Sequence, residues 1–144
     1  MELNNKLLIK MNATVIDCRE PRKLADFYAV LMNWVVHYTS DDYIMMGPPE
    51  AFQAMYPQLA FQFNPDYEPP IWPEEPGAQQ QMMHIDFAVN DVEKAVEHAI
   101  SCGAKVAATQ FSDSHTVMLD PEGHPFCLCP MKKSVFDNPN FALL

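Results

Sequence analysis

Basic residues are scarce in this chain: nine Lys and Arg stand against nineteen Asp and Glu, a formal net charge of −10. Between Asp26 and Glu93 there is no Lys or Arg at all. A surface so poor in cations has nothing to neutralise a phosphate backbone, so nucleic acid and anionic membrane surfaces are excluded as expected partners. Long apolar runs are missing too. The longest, Phe27 to Met32, falls far short of the eighteen or more residues a spanning helix needs. The opening segment Met1 to Lys10 lacks the apolar stretch and small-residue cleavage site of a secretory signal, and the expected location is cytoplasmic. Cysteines number only four, Cys18, Cys102, Cys127 and Cys129, too few and too irregular for a disulfide scaffold. The Cys127-x-Cys129 pair does not have the two-residue gap of zinc knuckles or redox turns.

What remains is a globular composition, 49% hydrophobic and 11% aromatic over 144 residues, enough for one core. The most informative pattern is a weak internal duplication, seen when the segment from Ala13 is laid on the segment from His84, an offset of 71 residues. Each copy opens with an alternating strand, Ala13 to Cys18 or His84 to Val89, and then enters a helix. In the first, Leu24, Phe27, Tyr28 and Leu31 share one helical face behind Pro21, which is tolerated in a first turn. In the second, Val92, Ala95, Val96, Ala99 and Ile100 repeat that spacing, with Asn90 or Asp91 as the cap and Gly103 as the stop. Three short strands follow each helix: Trp34 to Tyr38, Tyr43 to Met46 and Gln58 to Phe63, then Lys105 to Phe111, His115 to Leu119 and Pro125 to Cys129. Asp120-Pro121-Glu122-Gly123 has the residues of a β-turn and predicts a hairpin joining the last two.

The expected fold is therefore α+β, two βαβββ modules in one domain. Module 1 covers about 12–63, a proline-rich linker 64–81, module 2 about 82–130, and a C-terminal tail 131–144. The linker carries Pro65, Pro69, Pro70, Pro73 and Pro76, and is expected to be extended. Its Trp72 has two readings, as a pin holding the crossing to the body or as a lid over a pocket. The apolar tail end, Phe141 to Leu144, suggests packing on the domain or on a second subunit.

Alternation puts His84 and Asp86 on one strand face, opposite Ile85, Phe87 and Val89, and Cys127 and Cys129 on one face, opposite Phe126 and Leu128. With the apolar faces on the helices, Gln62, His84, Asp86, Cys127 and Cys129, joined by Asp17, line the inner side of the curled sheet, and with Trp72 of the linker they make the candidate ligand pocket. Two residues apart on a strand, His84 and Asp86 are expected to communicate through a water rather than by a direct bond. His84 is the candidate general base, with a hydrogen-bonded structural role as the alternative. Cys127 lacks a basic neighbour in sequence and is expected to be an inert buried thiol. His124 is expected to support the turn.

Four stretches carry a family resemblance: Asp17-Cys-Arg-Glu-Pro21 with Leu24-Ala-Asp-Phe-Tyr28 and Asn33-Trp34; Pro69-Pro-Ile-Trp-Pro73; His84-Ile-Asp-Phe-Ala-Val-Asn-Asp91; and Leu119-Asp-Pro-Glu-Gly-His-Pro-Phe-Cys-Leu128. Together they resemble the vicinal oxygen chelate superfamily of glyoxalase I, extradiol dioxygenases and bleomycin-resistance proteins, in its glyoxalase-like branch. The resemblance implies a curled open-barrel sheet around a pocket, and a homodimer. It also implies metal ligands on the first and last strands of each module, which fall here on Ala13, Gln62, His84 and Cys127. Alanine offers no donor, so the implied metal set shrinks to His84, Gln62 and Cys127. The expectation is a protein that binds a small, mainly apolar molecule without a cofactor. The alternatives are a divalent-metal lyase, isomerase or dioxygenase acting on a vicinal-oxygen substrate, and an association module built on the apolar tail.

Overall fold

A computed structural model describes residues 7–50 and 58–138, so Phe141 to Leu144 of the tail lie outside the described residues. The elements run β1 (Ala13–Cys18), α1 (Pro21–Met32), β2 (Val35–Thr39), β3 (Tyr43–Gly47), β4 (Gln58–Phe63), β5 (Ile85–Val89), α2 (Val92–Cys102), β6 (Lys105–Val106), β7 (Thr116–Leu119), β8 (Pro125–Pro130) and the short α3 (Lys133–Phe136). They form two four-stranded sheets of identical plan, ordered β1-β4-β3-β2 and β5-β8-β7-β6. In each, the first strand pairs in parallel with the last, and the other pairings are antiparallel. Among the described residues the sheets do not close on one another, and β1 and β5 are each left with a free edge.

Local chemistry sets the helix boundaries. Pro21 occupies the first turn of α1, and Asn33 in the left-handed region (φ 55°) ends it, its N–H returning to the Ala29 carbonyl. At α2 the Asp91 side chain accepts from the Lys94 N–H at 3.1 Å, which holds its carboxyl below the usual carboxylate range. Gly103 ends α2 at φ 117°. The α1 entrance has no cap of its own. Glu122, from the turn between β7 and β8, supplies a carboxylate there, accepting from the Arg19 N–H at 2.6 Å and the Glu20 N–H at 3.0 Å. A turn of one module thus fastens the helix entrance of the other.

One core serves both modules. Leu24, Ala25, Phe27 and Tyr28 of α1 pack with Ile44, Met46, Leu59 and Phe61 of the first sheet and with Met118, Phe126 and Leu128 of the second. Tyr28 is the shared centre: its ring stacks on Phe61 (centroids 5.4 Å apart) and meets Phe87 and Phe126 at 6.3 and 6.4 Å. Aromatic contacts in these geometries add about 0.5–1.5 kcal/mol each to the burial of the rings. The apolar faces of β5 and β8 turn toward the helices, as their alternation requires.

The expected strand over Lys105 to Phe111 shortens to Lys105–Val106. Gln110 is the reason. Its Nε2 donates to the carbonyls of Ala107 and Val117 at 2.9 and 2.8 Å, and its Oε1 accepts from the Val117 N–H at 2.8 Å. A side chain here does what a strand partner would, and the backbone leaves the ladder. The Asp120–Gly123 turn joins β7 to β8, with Gly123 at φ 89°, where its Cα lies so near Pro69 that a Cβ would come within 2.9 Å.

Candidate functional site

The free edges of β1 and β5 border a cavity of about 390 Å³. Thr14 to Asp17 line it from β1, Ile85 from the start of β5 and His84 from just before it. Tyr28 from α1 and His124 and Pro125 from the β7–β8 hairpin also contribute. The linker completes the wall with Asn64, Asp66 to Glu68, Pro70 and Gln79 to Met83. Among the described residues, three carboxylates (Asp17, Asp66, Glu68) line this space and no Lys or Arg does. Asn64 organises part of the rim: its Nδ2 donates to Asp17 Oδ2 at 3.0 Å, and its Oδ1 accepts from the Asp66 N–H at 2.9 Å.

A buried network stands behind this wall. Asp120 accepts four hydrogen bonds: Oδ1 takes the Glu122 and His124 N–H groups at 2.9 and 3.0 Å, while Oδ2 takes the Tyr28 hydroxyl at 2.9 Å and faces His124 Nδ1 at 2.7 Å. The other ring nitrogen, Nε2, meets the Asp17 carbonyl at 2.8 Å, so both nitrogens of His124 face acceptors. Only the imidazolium can donate to both. Burial alone would lower its pKa, but the bond and charge of Asp120 outweigh this and raise it above the usual value of 6.5. Tyr67 lies against His124 (centroids 5.0 Å) and donates its hydroxyl to the Glu122 carbonyl at 2.7 Å. Burial, reinforced by Asp120 and Glu122, keeps that phenol protonated. His124 is therefore the turn support expected of it, and it also ties β8 to β1.

This gives the fold a pH dependence of definite sign. A histidine that holds its proton more tightly when folded stabilises fully below its unfolded pKa of about 6.5 and loses that contribution as pH rises through the higher folded value. The difference in Tm between wild type and His124→Asn is expected to be largest near pH 5.5 and to shrink by pH 8.5. A difference that grows with pH would contradict the assigned charge.

Beside the cavity is a group of metal-competent donors. His84, Asp86 and Cys127 bring one nitrogen, one oxygen and one sulfur within 4.8 Å of each other. Parallel pairing of β5 with β8 puts Asp86 directly opposite Cys127. His84 and Asp86 touch directly, Nε2 to Oδ1 at 3.1 Å, correcting the expectation of a bridging water. The first ladder pair is Ile85 with Phe126, so His84 precedes the strand and its ring is not held to the pleat. Burial, and then the Asp86 carboxylate, push the Cys127 thiol up to about 11. It is a protonated, unreactive thiol unless a cation displaces the proton.

The other residues singled out from sequence fall elsewhere. Gln62 lies on β4 in the first sheet, opposite Asp17 and Tyr43, and Ala13 is at the start of β1. Trp72 packs with Cys129 and Leu119 on a small cluster of Ala107, Val117 and Cys127, and its Nε1 donates to the Thr109 carbonyl at 3.2 Å. Its ring meets Phe111 edge-on, centroids 5.6 Å apart. These contacts pin the linker to the second sheet. Of the seven residues expected to line the pocket, His84 and Asp17 line the 390 Å³ cavity. Asn64, Tyr67 and the Gln79 to Gln81 run were not anticipated, because no periodic signal marks a linker wall.

Residues 13–129 match the glyoxalase-like domain family. The chain belongs to that family. Comparison with curated proteins found no significant match. Among solved structures, this glyoxalase-like protein resembles a glyoxalase/bleomycin resistance protein/dioxygenase family enzyme from Burkholderia phytofirmans, at 16% identity over 81% of this chain and 94% of that one, with a TM-score of 0.59. It is equally similar to a glyoxalase family protein from Enterococcus faecalis (17% identity, 83% and 96% covered, TM-score 0.59). The trypanothione-dependent glyoxalase I of Leishmania major is close behind (16%, 90% and 91%, 0.58). Likeness at these identities shows the fold, two βαβββ modules with open sheets, and does not carry an activity across. No described helix is long and apolar enough to cross a membrane.

Proposed function

We propose that this glyoxalase-like protein binds a small molecule in the cavity between its two modules. The observation that carries this reading is the cavity itself. It has the volume of a ligand site, with Val15, Ile85, Pro70, Met82 and Met83 as apolar walls and polar groups, Asp17, Asn64 and His84 among them, to fix orientation. The test is a thermal-shift screen of small molecules on wild type and on Val15→Trp, whose indole would fill the space. A true ligand at a hundred times its Kd stabilises by about 2.7 kcal/mol, a rise in Tm of about 5–10 °C for a chain of this size. That rise is expected to vanish in Val15→Trp, with circular dichroism unchanged. Ligands that stabilise both proteins equally would place binding elsewhere.

A second reading, metal-assisted lyase, isomerase or dioxygenase chemistry, is favoured by the donor group at His84, Asp86 and Cys127. An imidazole, a carboxylate and a thiolate, with one position left open, suit the coordination of a catalytic zinc ion. On this reading Asp86 takes the place that Gln62 was expected to fill. A divalent ion held there would supply Lewis-acid polarisation of a substrate oxygen. His84, in both the donor group and the cavity wall, would present the ion to a bound molecule.

A further inference from the structure

We propose that His124 is a proton-operated latch on the inter-module cavity: with its proton it holds the free edge of β1 to the β7–β8 hairpin, and without it that edge is released. The backbone pattern locates the point of attachment. The Asn64 N–H donates to the Cys18 carbonyl at 2.9 Å and the Gln58 N–H to the Asn12 carbonyl at 3.2 Å. Even-numbered residues of β1 therefore turn their backbone groups toward β4, and Ala13, Val15 and Asp17 turn theirs to the unpaired edge that borders the cavity. Across that edge His124 Nε2 donates to the Asp17 carbonyl at 2.8 Å. An imidazolium thus stands where a neighbouring strand would.

The two ring nitrogens are not equivalent when the proton leaves. Nδ1 lies 2.7 Å from Asp120 Oδ2, a carboxylate oxygen of a side chain with no exposed surface, whereas Nε2 faces a neutral carbonyl. A neutral imidazole keeps one N–H, and a lone pair aimed at the buried carboxylate costs more than one aimed at the carbonyl, so Nε2 is the nitrogen that loses hydrogen. Its contact with Asp17 then turns from attraction to repulsion. The ring is held by Asp120 and by the Tyr67 ring 5.0 Å away, so β1 is the side that yields. The Glu122 carboxylate still holds the Arg19 and Glu20 N–H groups, and the Asn64 side chain still holds Asp17 Oδ2, which confines the release to the wall of Thr14 to Asp17.

Among the described residues, the charged and titratable groups around this ring are Asp120 and Glu122 of the turn, Tyr28 of α1, Tyr67 of the linker, and Asp17, Cys18 and Arg19 at the end of β1. Burial first, and the nearby carboxylates second, hold the Tyr28 and Tyr67 hydroxyls and the Cys18 thiol in their protonated forms, the thiol at about 12. None of the three changes charge near neutrality. Burial opposes the charge on His124, yet Asp120 and the Asp17 carbonyl outweigh it, so the latch opens as pH rises through a value above the usual 6.5.

The test follows the full chain, labelled with ¹³C and ¹⁵N and freed of metal by chelator, through NMR spectra between about pH 5.5 and about pH 9. At the acid end both ring nitrogens of His124 are expected to carry hydrogen. As the ring titrates, the Asp17 carbonyl carbon and the Cys18 amide, which share one peptide unit, are expected to shift with the same midpoint, and the Thr14 to Ile16 amides to follow. His124→Asn is expected to abolish these shifts, and if that variant does not fold the co-titration in wild type decides alone. A His124 ring with a single N–H at about pH 5.5 overturns the latch, as does one that titrates while the Asp17 carbonyl stays still. Shifts that persist in His124→Asn overturn it too, and so does a wall that moves with the midpoint of His84, the other histidine lining the cavity. The measurement needs no ligand, so its outcome is separate from that of the Val15→Trp screen.

Discussion

Asp120→Ala is expected to cost about 3–5 kcal/mol of folding stability, the largest effect of any single polar change in the described residues. Asp120 is 4% exposed and accepts from four donors drawn from three places: the Tyr28 hydroxyl, the N–H groups of Glu122 and His124, and the His124 ring. Alanine leaves all four without their partner, and the imidazolium without its counter-charge. The loss spreads, because the turn that Asp120 organises also carries Glu122 to the α1 entrance and His124 to the Asp17 carbonyl. Tyr28→Phe, by contrast, removes one hydroxyl and keeps the ring stacked on Phe61, so about 1 kcal/mol is expected. Urea denaturation of the three proteins checks both values. Equal losses in the two variants would mean that Asp120 acts only through Tyr28.

Zinc affinity is expected to fall a hundredfold or more in each of His84→Ala, Asp86→Ala and Cys127→Ala, and to stay within twofold of wild type in Gln62→Ala. The first three residues supply the donor atoms that lie within 4.8 Å, whereas Gln62 is on the opposite sheet. With three ligands, losing one leaves two, too few to hold the ion against water. Competition against a chromogenic chelator measures the affinities. Binding must also displace a proton from the Cys127 thiol, which burial and Asp86 hold at about 11. Affinity is therefore expected to rise about tenfold per pH unit between pH 6.5 and 8.5. A Gln62→Ala protein that loses zinc as completely as Asp86→Ala would show that the donors come from the family positions instead. Sub-stoichiometric zinc in wild type at every pH would leave the cavity reading standing alone.

Much of the architecture was legible in the chain because it follows from short-range periodicity. The i, i+3, i+4, i+7 spacing of Leu24, Phe27, Tyr28 and Leu31 located α1, and Asp91 and Gly103 bounded α2 by capping chemistry. The duplication at 71 residues announced the repeated sheet. Periodicity failed where a side chain replaced the backbone, as at Gln110, where the predicted strand stops after two residues. The site was only partly readable. Alternation put His84, Asp86 and Cys127 on one side of the second sheet, but it could not show that Asp86 stands opposite Cys127, nor that His84 turns to meet Asp86.

The amino-acid sequence by itself determined the two βαβββ modules, the helix faces and caps, the acidic balance and the glyoxalase-like family, since all of these are properties of neighbours along the chain. Only the tertiary structure decided that Tyr28 of the first module is the centre of a core shared with the second, and that Glu122 and His124 reach across about a hundred residues to fasten the modules. It also placed the cavity between two strand edges with a linker for a wall, and brought together three donors, from β5, from β8 and from the residue before β5. Register, edge placement and linker path depend on how distant segments pack, and no local pattern encodes them.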